Sequence, residues 1–208
     1  MNFSGTIDRA IAQRRSLYEL DNQIKLSEEE FREFIGLALQ NAPSANNSQS
    51  TRLIVLTQEA HREHWQQVEE ILAQRIPSEK FERTAKKLAK FRAAYATILF
   101  FEDLEVVKKL EEQYPLYAEK YLDWSHQANA MLQYAIWIGL EAKGLGVSIQ
   151  HYNPLINKMV QTYWQAPKHW QLITEMVVGN PIAEASDKEV VPLESKLTFI
   201  HQINEYRK

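Results

Sequence analysis

The chain has 208 residues, 45% hydrophobic and 25% charged, with a net charge of −3. That length supports one domain with a real core, and the slightly acidic balance excludes a global basic field for nucleic acid. Zero cysteines exclude a disulfide frame, a thiolate zinc site and a cysteine nucleophile. Six glycines occur, none arranged as a Walker loop or a GxGxxG fingerprint. The opening MNFSGTIDRA lacks the apolar core of a signal peptide, so a cytoplasmic protein is expected.

Thr6 to Gln13 reads as a short helix, with Ile7, Ala10 and Ile11 on one face. It ends in Arg14-Arg15-Ser16. Ser27 and Glu30 form a capping box that starts a helix burying Phe31, Phe34, Ile35 and Ala38. Asn41 to Gln49 is a loop, and Leu53 to Leu56 an apolar strand. A long helix carrying Trp65, Val68 and Leu72 follows and is broken by Pro77. Phe81 to Phe91 is helical again, and Tyr95 to Phe101 is a buried strand. Glu102 to Tyr121 is polar and helical, interrupted by Pro115.

The stretch from Trp124 to Pro154 organises the rest. Its helix, through Ala142, has almost no polar side, so it is expected to be buried all round. It is too interrupted to span a bilayer, which needs roughly 20 predominantly apolar residues. Gly144 and Gly146 stop it, and Val147-Ser148-Ile149 continues as a strand into the polar Gln150-His151-Tyr152-Asn153. An amphipathic helix from Ile156 to Trp164 comes next. Leu172 to Val178 is a strand stopped by Gly179-Asn180-Pro181. Ile182 to Pro192 reads as an irregular arm, and Thr198 to Ile203 as a last short strand. Strands separated by helices argue for an α+β or α/β sheet. With no repeat and no linker, one domain over 1–208 is expected, its arm beginning at 182.

Several groups of residues carry possible chemistry. Arg14, Arg15 and Ser16 suit a phosphate, because guanidinium presents a rigid fork of donors. Read alone they also fit a solvated basic helix end. The run Pro43 to Ser50, which includes Ser44, Ala45, Asn47 and Gln49, is dense in small hydrogen-bonding groups. It is either an ordinary turn or a contact for a polar heterocycle. Gln150, His151, Tyr152 and Asn153 pose the same choice, and a lone histidine is more often structural than catalytic. Tyr18, Trp124 and Tyr152 lie beside these clusters as possible pocket walls. His61 and His64 have metal-pair spacing but no third ligand, so no metal site is expected. Lys188 in the arm means nothing by itself.

In their order and spacing, RRS after a short helix, PSANNSQS before a strand, TILFFED, a long helix ending in GLGVSIQHYNP, and VVGNP with a basic arm resemble the nitroreductase family of FMN-dependent oxidoreductases. The resemblance is to the subgroup that includes fungal nitroreductase-like proteins, and it covers nearly the whole chain. It implies an α+β fold with a mostly antiparallel central sheet packed by helices. It also implies a homodimer with the long central helix at its interface, two FMN sites there, and a C-terminal arm crossing to the partner. Arg14, Arg15 and Ser16 would hold the phosphate and part of the flavin, joined by Lys188. Ser44, Ala45 and Asn47 would come from the partner subunit, with Gln49 of the same loop as a further cofactor contact. Gln150 to Asn153 would run along the ring system, a backbone N–H near Asn153 facing the flavin N5. A basic residue, Lys90 or Arg92, would approach the flavin pyrimidine.

NAD(P)H and a small electron-poor acceptor, such as a nitroaromatic or a quinone, would stack on the flavin in turn in a ping-pong cycle. No protein catalytic residue is then needed, since the cofactor carries the chemistry. Many relatives carry a second basic residue two positions after the arm lysine; here it is Val190. A non-catalytic flavin-binding sensor is the alternative that this departure suggests.

Overall fold

The computed structural model describes residues 6–201. Helix α1 (Thr6–Gln13) leads to a two-residue strand β1 (Leu20–Asp21), then α2 (Glu28–Asn41), β2 (Thr51–Thr57), α3 (Gln58–Ala73) and α4 (Ser78–Ala93). Strand β3 (Ala96–Asp103), α5 (Leu104–Gln113), a 3₁₀ segment (Pro115–Lys120) and α6 (Tyr121–Ala142) follow. The chain continues with β4 (Gly146–Gln150), α7 (Asn157–Tyr163), β5 (Trp170–Pro181) and a 3₁₀ turn (Leu193–Ser195).

The five strands form one antiparallel sheet in the order β1-β5-β3-β2, with β4 on the same edge of β5 as β1. Strand β3 is buried at every position, which explains its unbroken apolar run. Leu99 and Phe101 face one core with Trp65, Leu88, Phe91 and Val177. Ile98 and Phe100 face the other with Phe31, Leu132, Ile136, Leu140 and Met176. Helices α3 and α4 cover the first side, and α2 and α6 the second. The capping box at Ser27 forms as expected: Glu30 N–H donates to Ser27 Oγ at 3.2 Å, and Ser27 N–H to Glu30 Oε2 at 2.8 Å.

Three expectations require correction. Gly179-Asn180-Pro181 do not stop β5, which runs through them because they pair with β4 and β1. Helix α6 is not buried all round. Ala128, Leu132, Ile136 and Leu140 sit on the sheet at i, i+4 spacing, but Leu122, Met131 and Tyr134 are exposed on the other side. The described residues leave these three side chains uncovered. Residues 198–201 form no strand, and 202–203 of that expected element lie outside the described residues. Strand β1 has no signal in the sequence, since two residues carry no periodicity. It exists because Gly179 lets Asp21 approach: a Cβ at Gly179 would stand 2.6 Å from the Asp21 carbonyl oxygen. Gly179→Ala should therefore displace β1 and cost about 1–3 kcal/mol, read as a lower urea midpoint with faster exchange of the Ile182 amide, which bonds Glu19 O across this junction.

Under the sheet, α3 carries two buried histidines. His61 Nε2–H donates to the Phe91 carbonyl (3.1 Å), and its Nδ1 meets Thr97 Oγ1 (2.9 Å), which also accepts from Trp65 Nε1 (2.8 Å). His64 Nδ1 accepts from Trp164 Nε1 at 3.2 Å. Burial pushes His61 down to about 4 and His64 to about 3 from an ordinary 6.5. Both are neutral structural groups. The unfolded chain binds protons here before the folded one does, so stability is full above pH 6.5 and is lost as pH falls from there toward 4. By pH 5 the loss should reach about 2 kcal/mol for each histidine. Urea unfolding at pH 7 and pH 5 measures it, and His64→Leu should remove part of the slope.

Candidate functional site

Arg14, Arg15 and Ser16 follow α1 and are held from two sides. The Arg15 backbone N–H donates to both carboxylate oxygens of Glu141 (3.2 Å each), at the end of α6. Trp137, one turn earlier, donates its Nε1–H to Glu141 Oε1 at 2.9 Å, and the Arg14 guanidinium lies 4.4 Å over the Trp137 ring. Burial pushes the Glu141 carboxyl up, opposed by the Trp137 and Arg15 hydrogen bonds. On the other side Ser16 bridges to Val147 of β4, and Leu17 N–H donates to the Val147 carbonyl at 3.0 Å.

Strand β4 thus connects two of the expected clusters. Val147 anchors the arginine segment. Gln150 ends the strand three residues later, about 10 Å on at the usual rise. Beyond it Thr174 Oγ1 donates to the Gln150 carbonyl (2.7 Å), Tyr152 N–H to Glu175 Oε2 (3.0 Å) and Asn153 Nδ2 to the Leu172 carbonyl (3.2 Å). Gln150 is buried, Tyr152 and Asn153 are half-buried, and His151 is exposed. The C-terminal arm comes back to the same place. The Arg15 guanidinium donates to the Ser186 carbonyl, two residues before the exposed Lys188.

The Pro43–Ser50 loop is elsewhere. It precedes β2, on the sheet edge opposite β4, with β5 and β3 between them. Within one chain the structure does not unite Ser44, Ala45, Asn47 and Gln49 with the arginine segment. The loop is nonetheless built with care. Asn46, Asn47 and Gln49 all have φ near +50°, a region that costs free energy for a residue with a Cβ and that collects at functional sites. Gln49 N–H donates to Ser44 Oγ (3.0 Å), and Arg52 Nη1 donates to the Gln49 carbonyl (2.6 Å). Below it, Glu102 accepts from Ser50 Oγ (2.6 Å), Thr51 Oγ1 (2.7 Å) and Asn129 Nδ2 (2.8 Å). Beside it is a cleft of about 360 Å³ lined by Pro43, Ser44, Gln49, Arg52, Leu132 and Trp170.

Lys90 and Arg92 point to different places. Arg92 is bound to Glu69 of α3 at 3.1 Å. Lys90 pairs with Glu19 and, with Tyr18, Arg83, Lys86 and Lys87, lines an open basic cleft of about 600 Å³. Trp124 is not a pocket wall of this cleft; it packs on Tyr117 and Tyr121.

Four residues that hold the candidate segments in place were not singled out in the sequence: Trp137, Glu141, Glu102 and Glu175. Their only local signal is an ionisable or amphipathic residue within an otherwise apolar run. Such a signal marks a buried polar group but does not say what it binds.

Residues 11–180 match the model of the Nitroreductase family. The Saccharomyces cerevisiae proteins HBN1 and FRM2 are 26% and 25% identical over 193 residues, 92% of this chain and 96% of each relative. The nitroreductase CinD from Lactococcus lactis, solved in complex with chloramphenicol, is 36% identical with a TM-score of 0.84, covering 93% of this chain and 98% of that one. A nitroreductase structure from Saccharomyces cerevisiae superposes with a TM-score of 0.74 at 25% identity, over 86% and 98% of the two chains. With the family model matched over residues 11–180 and the fold shared over nearly the whole chain, the chain belongs to the nitroreductase family.

Proposed function

We propose that the protein is an FMN-dependent oxidoreductase that uses NAD(P)H to reduce small electron-poor aromatics, nitro compounds or quinones, in a ping-pong cycle. The observation that carries this is the layout along β4: two arginines and a serine at one end, with the arm docked on Arg15, and a row of polar groups about 10 Å away at the other. The donor set fits the cofactor. A phosphate suits the paired guanidiniums, Ser16 and Lys188, which would bring a point charge from the arm. The Gln150–Asn153 segment, its backbone held by Thr174 and Glu175, would line the ring system. Lys90 and Arg92 are both in ion pairs, with Glu19 and Glu69; Lys90, which lines the open cleft with Tyr18, would be the one to approach the pyrimidine edge. FMN, when bound, supplies the hydride chemistry. The chain's residues bind it, orient it and balance its charge.

The reading also makes the protein a homodimer of single nitroreductase-like domains, 182–208 being the arm. The exposed Leu122, Met131 and Tyr134 of α6 support this, as do Val190, Val191, Leu193, Leu197 and Phe199 of the arm. They form the kind of uncovered apolar surface that a partner buries. A partner's Ser44, Ala45, Asn47 and Gln49 would then meet the site that they do not reach in their own chain. The acceptor class draws support from CinD, solved with chloramphenicol and with 4-nitrophenol, at 36% and 35% identity. Both ligands carry a nitro group on an aromatic ring. No helix among the described residues is long and apolar enough to cross a membrane.

The test is direct. Purified protein should show flavin absorbance, lose it on anaerobic addition of NADH or NADPH, and regain it with 4-nitrophenol or a quinone. A colourless protein that takes up no added FMN would refute the proposal. FMN binding with negligible turnover would instead make it a flavin-binding sensor.

A further inference from the structure

Two adjacent residues of β5 hold the chain on either side of His151. Thr174 holds the Gln150 carbonyl and Glu175 the Tyr152 N–H, at 2.7 and 3.0 Å. Both are fully buried. The second Glu175 oxygen, Oε1, is also buried and has no hydrogen-bond partner among the described residues. Packing alone does not explain an acid here. A β-branched residue would satisfy a buried strand position without the cost of enclosing a charge.

The surroundings supply no bonded counter-charge. Tyr152 faces Glu175 from the β4–α7 connection, its hydroxyl pushed up to about 12 by burial and then by the Glu175 charge. Helix α3 brings His61 and His64, both held neutral. The cations of α4, Arg83, Lys86, Lys87 and Lys90, line the outer cleft, and Lys158 of α7 is exposed. No ion pair to Glu175 occurs among the described residues.

We propose that Glu175 is a positioning residue that fixes the Gln150–Asn153 segment through the Tyr152 N–H, and that its ionisation places an unpaired negative charge next to the flavin. The proposal rests on the flavin reading above and goes beyond it. Burial pushes the Glu175 carboxyl up to about 8, against the opposing pull of the Tyr152 N–H. Below that pH the site keeps its full positive character. Above it, the added charge opposes the negative charge that a reduced flavin carries. FMN affinity and midpoint potential should both fall as pH rises through 8, beyond the change free FMN shows.

The experiment compares wild type, Glu175→Gln and Glu175→Leu between pH 6 and 9.5. Glu175→Gln keeps an oxygen for the Tyr152 N–H and cannot ionise. It should bind FMN as wild type does at pH 6 and lose the extra fall in affinity, expected to be about three- to tenfold, and in potential. Glu175→Leu removes the acceptor, leaving the Tyr152 N–H unpaired, and should weaken FMN about tenfold at pH 6; unable to ionise, it should show no extra fall above pH 8. Amide exchange on the flavin-free protein gives a separate readout. The Tyr152 N–H should stay protected in wild type and Glu175→Gln and lose protection in Glu175→Leu. A wild-type pH profile in Glu175→Gln, or unchanged Tyr152 protection in Glu175→Leu, overturns the assignment. If Tyr152 behaves as expected but wild type takes up no FMN, the flavin reading fails and the proposed coupling falls with it.

Discussion

Replacing Glu102 with alanine is expected to lower the unfolding free energy by about 3–5 kcal/mol, among the larger losses available to a single substitution. Glu102 is fully buried at the β3 end. It accepts from Ser50, Thr51 and Asn129 at 2.6–2.8 Å, and Gln133 extends the network through Asn129 at 2.7 Å. Alanine takes the acceptor from the Ser50 and Thr51 hydroxyls, at about 1–3 kcal/mol for each that water does not reach, leaves Asn129 Nδ2 only its bond to the Phe101 carbonyl (3.2 Å), and adds a cavity. The same change frees the start of β2 and with it the left-handed turn at Asn46 and Asn47. Urea unfolding reads the stability loss. Exchange of the amides from Asn47 to Thr51 reads the release of the loop. Glu102→Gln keeps one carbonyl acceptor and should cost less than half as much. A Glu102→Ala protein as stable as wild type would mean that water satisfies the network.

The second large effect falls on binding. Arg14→Ala should weaken FMN tenfold or more and leave the fold intact. The two expectations have separate causes. A charge-assisted hydrogen bond to phosphate is worth about 1.5–3 kcal/mol, which is tenfold and upward. In the folded chain Arg14 stacks on Trp137 at 4.4 Å, an interaction of about 0.5–1 kcal/mol where solvent reaches it. Arg14→Lys should recover only part of the affinity, because an ammonium lacks the planar fork. Titration of the flavin-free protein with FMN, beside a urea curve, separates the two quantities. Unchanged affinity with an unchanged fold would move the phosphate away from this segment.

Elements that follow local rules are legible in the sequence. The capping box at Ser27 and Glu30 forms because its two bonds join residues three apart. β3 is visible because a central strand, buried on both faces, needs no polar alternation. β4 and β5 are legible as strands but their limits are not: Gly146 opens β4, and Gly179, Asn180 and Pro181 lie inside β5, where they pair with β4 and β1. The burial expected all round α6 holds on the sheet side alone, for a physical reason. Its apolar residues are equally compatible with burial by the sheet and burial by a second chain, and periodicity does not distinguish the two covers. Lys90 and Arg92 are indistinguishable in sequence on similar grounds: two cations two positions apart on a helix end differ only in the acid that each one meets.

Composition, periodicity and turn chemistry therefore determined the helices, the four longer strands and the set of polar clusters, since each depends on neighbours within a few residues; α+β rather than α/β came from the family resemblance. Tertiary structure alone decided that Arg15 would rest on Glu141, 126 positions away, that Ser50 and Thr51 would meet Glu102, and that the Pro43–Ser50 loop would lie across the sheet from β4. A buried polar group must find a partner, but the partner can lie anywhere along the chain, and only the closing of the sheet selects it.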